Sequence, residues 1–227
     1  MMPSSNPDLA GRMAELARAL AGPSGIEAVL AGVAGAAIEL IPDVDVAATL
    51  LIGKGHTFET LPADSEFADK LHELQMTFDE GPCVQAALDD VIVRTDDFRN
   101  ETRWPQYAPA CVDLGILSGL SFKLYTADRT AGALNLFSFR PHAWTTEAET
   151  IGTILAAHAA AAILANRQSE QLRSALSTRD RIGQAKGIIM ERYKLDDVAA
   201  FEMMRRLSQE SNVKLADIAQ QVIDSRE

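Results

Sequence analysis

The chain has 227 residues, 47% of them apolar and 23% charged, so it can bury one generous core or two small ones. Two cysteines, Cys83 and Cys111, lie in no CxxC pair and exclude a disulfide framework, and no apolar run is read as reaching a membrane span of roughly 18 residues. Residues 1–11 carry neither a basic n-region nor an apolar h-region, so a cytoplasmic protein with no membrane partner is expected.

The formal net charge of −11 argues at first sight against a nucleic-acid partner, but it is unevenly spread. Residues 167–227 carry 11 Lys and Arg against 10 Asp and Glu, whereas residues 1–166 carry 10 against 22. Two modules of different charge are the simplest reading.

In chain order, Leu9, Met13, Leu16, Ala17 and Leu20 form a helical stripe that ends at Gly22-Pro23. Ser24 to Glu27 read as a capping box, with Ser24 at the N-cap of a helix over Ile26–Leu40. Asp45–Gly53 and Thr57–Pro62 read as a hairpin around Gly53-Lys54-Gly55. Short helices are predicted at Ser65–Phe78 and Cys83–Asp89, a brief strand at Val91–Arg94, and a loop over Thr95–Tyr107. Ser118–Thr126 and Ala131–Phe139 are strands about an Asp128-Arg129 turn, and Thr145 or Thr146 caps a helix starting at Glu147. This order predicts an α+β module with a mainly antiparallel sheet and flanking helices.

No strong breaker intervenes before Lys194, so the last helix is expected to run on for roughly 45 residues, about 70 Å. Leu172, Leu176, Ile182, Ala185 and Ile189 give it an apolar seam that predicts a homodimeric coiled coil. Asp196 or Asp197 caps a helix over Val198–Ser211, with Ala200, Met203, Met204 and Leu207 on its inner face and Phe201 beside them, also expected in the core. Leu215–Asp224 closes the chain with apolar positions at helical spacing.

The run from Arg179 through Ala185-Lys186-Gly187 to Arg192 resembles the signature of ANTAR domains. The likeness continues through Asp197–Ala200, Leu207-Ser208, Asn212, Lys214-Leu215 and Ile218-Ala219. It implies a C-terminal three-helix ANTAR bundle and an RNA-binding transcription antiterminator, with stem-loops in transcripts as partners. Upstream, Gly81-Pro82-Cys83, Trp104-Pro105, Gly115–Leu120 and Gly132–Leu136 fall in the order that GAF domains show. That resemblance implies a sensor domain with a GAF-like antiparallel sheet and a possible small-molecule ligand, which the sequence does not name. The expected organisation is an N-terminal extension at 1–24, a GAF-like sensor at 25–165 and an ANTAR-like reader at 166–227, joined by the long helix.

Charge and geometry select the candidate RNA contacts. Arg179, Arg181 and Lys186 lie on the long helix, Arg205 and Arg206 on the next, and Lys214 opens the last. Gly183 and Gly187 each cost a helix about 1 kcal/mol relative to Ala, and their small size admits a close neighbour, either a helix or an RNA base. Arg179 and Lys186, two turns apart on nearly one face, are expected to be exposed.

Two other readings stay open. A DNA-reading helix-turn-helix would need basic residues on its last helix, and Leu215–Asp224 has none. A redox or metabolite enzyme on the GAF fold would use Cys83 and Cys111, which read more simply as packing thiols. His56, His72, His142 and His158 are scattered without metal-ligand spacing, and no phosphate loop is present. Neither a metal nor a catalytic residue is expected.

Overall fold

Strand alternation sets the plan of the N-terminal half. In the computed structural model, which describes residues 11, 25–52, 58–60, 66–82, 85, 91–126 and 129–225, five strands form one antiparallel sheet. They are β1 (Val46–Ile52), β2 (Phe58–Thr60), β3 (Ile92–Thr95), β4 (Ser118–Thr126) and β5 (Arg129–Ser138), in the order β2-β1-β5-β4-β3. The period of two puts Leu120, Phe122 and Leu124 of β4 with Leu134 and Leu136 of β5 on one face.

That face is covered by α1 (Ile26–Leu40), through Leu30, Val33 and Ala37, and by the first part of α4 (Thr146–Tyr193), through Ala148, Ile151, Leu155, Ala159 and Ile163. At Gly152 the helix lies so close that an added Cβ would collide with the Phe122 ring. Gly132 of β5 is fixed by a similar constraint, since a Cβ there would meet the Leu50 carbonyl of β1. Arg94 of β3 reaches Glu149 at 2.7 Å and ties the sheet edge to the helix. By length and composition α4 does contain one window of 18 residues apolar enough to cross a membrane, which corrects the expectation of none. Much of that apolar character is spent on the sheet face just described.

The second sheet face carries α2 (Glu66–Phe78), a 3-10 turn at Phe98–Asn100, and α3 (Tyr107–Asp113). Phe98, Trp104 and Tyr107 meet there with centroids 6.0–6.4 Å apart, and the Arg103 guanidinium lies 4.5 Å above the Trp104 ring. The turn and α3 replace expected loop and unassigned sequence. Helix α1 takes Gly25 as its N-cap, which offers no side chain, one residue after the expected Ser24. Thr145 does cap α4, its hydroxyl accepting the Ala148 N–H at 3.1 Å. The N-terminal stripe before Gly22, Ser24, the Gly53-Lys54-Gly55 turn, Asp128, Cys83 and almost all of the expected Cys83–Asp89 helix lie outside the described residues.

The chain divides into two compact units, Met1–Asn166 and Arg167–Glu227. In the second unit the end of α4 packs with α5 (Asp197–Ser211) and α6 (Leu215–Asp224). Its core is Ala185, Ile189, Ala200, Met204, Ile218 and Ala219, with Ile182 packed against it. Asp196 caps α5 by accepting the Ala199 N–H at 2.8 Å, and Asn212, in the left-handed region at φ 54°, ends it. Arg192 donates to the Ser225 carbonyl at 3.0 Å and ties the last turn of α6 to α4.

The expected seam therefore divides. Ile182, Ala185 and Ile189 turn into the bundle, whereas Leu172 and Leu176 remain 63% and 51% exposed. One helical spacing served two different faces.

Candidate nucleic-acid interface

The candidate cations fall into three groups by what holds them. Arg179 on α4, Arg206 on α5 and Lys214 at the N-cap of α6 are exposed and meet no acidic partner among the described residues. Arg205 is exposed but donates to Glu202 through Nε at 3.0 Å and Nη2 at 2.7 Å. Lys186 is paired with Asp197 at the start of α5, and its side chain is only 27% exposed. That corrects the expectation that Lys186 is exposed. The partner comes from another helix, so no spacing within α4 announces it. Arg181 is half-buried, with its Nε enclosed and unpartnered among the described residues.

Gly183 and Gly187 lie on the outer face of α4, where an added Cβ would meet nothing within 4 Å. Steps of seven and eleven residues place them near the face of Leu172 and Leu176, away from Ala185 and Ile189. Close packing inside the bundle does not require either glycine. Their helix cost of about 1 kcal/mol each goes unrepaid within the unit.

On α5, Arg205 and Arg206 border a groove of about 470 Å³ lined also by Leu195, Ala199, Met203 and Gln209. Phe201, expected in the core, is instead 36% exposed, and Tyr193 at the end of α4 is exposed too. The polypeptide thus offers aromatic surface near its cations, which the sequence had not suggested. A bundle of this kind can neutralise phosphates and present flat rings to unpaired bases.

In the first unit, a groove of about 460 Å³ runs between the β3 edge and α4, lined by Ile92, Phe122, Tyr125, Ala156, Ala160 and Leu164 among others. On the opposite sheet face, the buried Ser121 hydroxyl donates to Asn135 Oδ1 at 2.6 Å. Cys111 is fully enclosed, and burial pushes its thiol up to about 12, against the lowering effect of a hydrogen bond with Tyr107. A thiol so placed is a poor nucleophile at neutral pH. No group of three His, Cys, Asp or Glu able to hold a metal occurs among the described residues.

An antiparallel sheet between two helical layers is thus followed by a small helical bundle that carries several exposed cations. The GAF domain family matches residues 24–164 and the ANTAR domain family matches 170–223. The chain belongs to the GAF family and carries a C-terminal ANTAR domain, an architecture of RNA-binding antiterminator regulators. No curated protein sequence matches it.

Solved structures show the fold of the first unit. A domain of a two-component sensor histidine kinase protein from Sinorhizobium meliloti is 17% identical, with a TM-score of 0.55 over 66% of this chain and 98% of its own. The GAF domain of a phosphoenolpyruvate-protein phosphotransferase from Coxiella burnetii is 19% identical, with a TM-score of 0.56 over 71% and 98%. Free methionine-R-sulfoxide reductase from Neisseria meningitidis is 18% identical, with a TM-score of 0.52 over 69% and 89%.

Proposed function

We propose that the protein is a cytoplasmic, non-catalytic transcription antiterminator. In this reading its module at 166–227 binds RNA stem-loops as one half of a homodimer, and its module at 25–165 senses a small molecule. The observation that carries the reading is the set of exposed cations Arg179, Arg206 and Lys214, unpaired among the described residues, around a small ANTAR bundle in a chain whose acidity is concentrated upstream. Gly187 leaves the backbone of α4 open beside them, and Arg181, Lys186 and Arg205 supply further positive charge. Bound RNA is held in a stem-loop form that excludes a competing terminator. Unpaired loop bases are the natural target, because the A-form major groove is too narrow for side chains to read.

Dimerisation is proposed through the outer face of α4, where Leu172 and Leu176 stand exposed at coiled-coil spacing. An extension at 1–24 precedes the sensor module. A redox enzyme using Cys83 and Cys111 is disfavoured by the buried, proton-retaining Cys111 thiol. The test is binding of the full chain to a tandem stem-loop RNA selected from a pool with randomised loops, against the same stems with scrambled loops. Equal affinity for both, or no selected RNA at all, would overturn the proposal.

A further inference from the structure

Three side chains of α5, Asp197, Phe201 and Arg205, recur every four residues and therefore stand in one row along the helix. Val198 lies three residues before Phe201 and seven before Arg205, on the same side, and is 69% exposed. The row begins at the Lys186–Asp197 ion pair and ends at Arg205, which Glu202 orients. Phe201 thus sits between two cation sites, spaced along the helix by about 12 Å at 1.5 Å per residue. The inner side of α5 is formed by Ala200 and Met204, both fully buried, and Phe201 stands beside them with 36% of its surface open. Among the described residues, no other aromatic ring packs on Phe201.

An exposed phenyl flanked by a lysine and an arginine suits a ligand with a flat face and anions on both sides. An unpaired nucleotide has that chemistry, whereas a base inside a duplex has its faces covered. We propose that Phe201 is the platform on which one unpaired base of an RNA loop stacks, while Lys186 and Arg205 meet the flanking phosphates. Asp197 is the positioning residue that holds the Lys186 ammonium at the head of the row. Asp197 and Glu202 also offset part of the positive charge, so stacking contributes a share of the affinity that salt does not screen. The inference rests on the RNA-reading function proposed above and names the surface that does the reading.

The test uses the full chain and a hairpin RNA selected from the randomised-loop pool, with 2-aminopurine placed in turn at each loop position. Wild-type protein is expected to change the fluorescence of one loop position. Phe201→Leu should abolish that change and weaken loop binding about five- to 150-fold, the range of one base–aromatic stack. The loss should persist at high salt, and Phe201→Trp or Phe201→Tyr should restore both signals, which a folding defect would not allow. Asp197→Asn should weaken loop binding less and leave the 2-aminopurine signal in place. Wild-type binding with an unaltered Phe201→Leu variant would overturn this inference and leave the RNA-reading function standing. Loss of self-association in Phe201→Leu with RNA binding intact would also overturn it, in favour of a protein contact. A wild type that binds no hairpin would overturn both.

Discussion

The two units spend their apolar residues differently. The first buries Phe98, Trp104, Tyr107, Phe122 and Phe137 against both faces of a sheet, although Phe67, Tyr125 and Phe139 stay exposed. The second closes its core largely on alanine, methionine and isoleucine and leaves Tyr193 and Phe201 exposed. A sheet with two covered faces has room to enclose aromatic side chains. Three short helices brought together by Ala185, Ala200 and Ala219 do not. The first unit therefore holds aromatic rings in its core, and the core of the second holds none among the described residues.

The core contrast predicts opposite sensitivities. Phe122→Ala should destabilise the first unit by about 3–5 kcal/mol, because the ring fills the space under Gly152 and the sheet cannot collapse onto the cavity. Ala219→Leu should cost the second unit about 1–3 kcal/mol by forcing its helices apart. Urea unfolding followed in the aromatic near-ultraviolet and by far-ultraviolet helicity separates the two transitions. If either variant shifts both transitions equally, the units do not have independent cores.

Leu172→Asp with Leu176→Asp should abolish the proposed dimer, since each charge would be buried against its symmetry mate. Both side chains are exposed in the single chain, so its melting temperature in the monomeric form should change little. Sedimentation reads this directly. A wild type that is monomeric at micromolar concentration would remove the dimer from the proposal.

Acid should act first on the sensing unit. A side-chain hydrogen bond from Arg99 is the main influence holding Asp97 below its ordinary value. Burial pushes Glu101 up, but hydrogen bonds from Arg103 outweigh it, and the Tyr107 and Gln106 N–H groups similarly outweigh burial at Glu80. Folded values below the unfolded ones stabilise the fold fully above the ordinary carboxylate range. That contribution is lost as pH falls through the depressed folded values. Helicity of the second unit should outlast the aromatic signal of the first during an acid titration, and simultaneous loss would contradict the assignment.

Gly183→Ala should have the smallest effect on the fold, a gain of about 1 kcal/mol in the second unit, because its Cβ would enter open space. Gly187→Ala should stabilise similarly while weakening RNA, if the ligand approaches the backbone there. Stabilisation with unchanged RNA affinity would place the contact elsewhere.

Much of this was legible in the residues, for identifiable reasons. Alternation located β4 without error and β5 to within two residues, because one face of each strand is continuously apolar. The seven-residue α3, interrupted by Pro109, is too short to show a helical period. Ile182, Ala185 and Ile189 were read as a seam between subunits because an i, i+3, i+7 row looks the same whether its partner is in the same chain or another. The Lys186–Asp197 pair was hidden because its members lie on different helices. Phe201 follows Ala200 by about 100°, enough to turn it from the core to the edge of the bundle, and the row with Asp197 and Arg205 was the signal that could have shown it.

The most direct measurement is the affinity of the full chain for the selected tandem stem-loop RNA, titrated with salt, for wild type and for Arg179→Ala, Lys186→Ala and Arg167→Ala. A loop-specific reader should lose about 1–3 kcal/mol with either of the first two, as expected for charge-assisted contacts. Each of these variants should flatten the salt dependence by about 0.7 per lost phosphate contact on an unpaired strand. Arg167→Ala, upstream of the bundle, should bind as wild type. Equal affinity for native and scrambled loops, or wild-type binding by both the Arg179 and Lys186 variants, would contradict RNA reading by this surface.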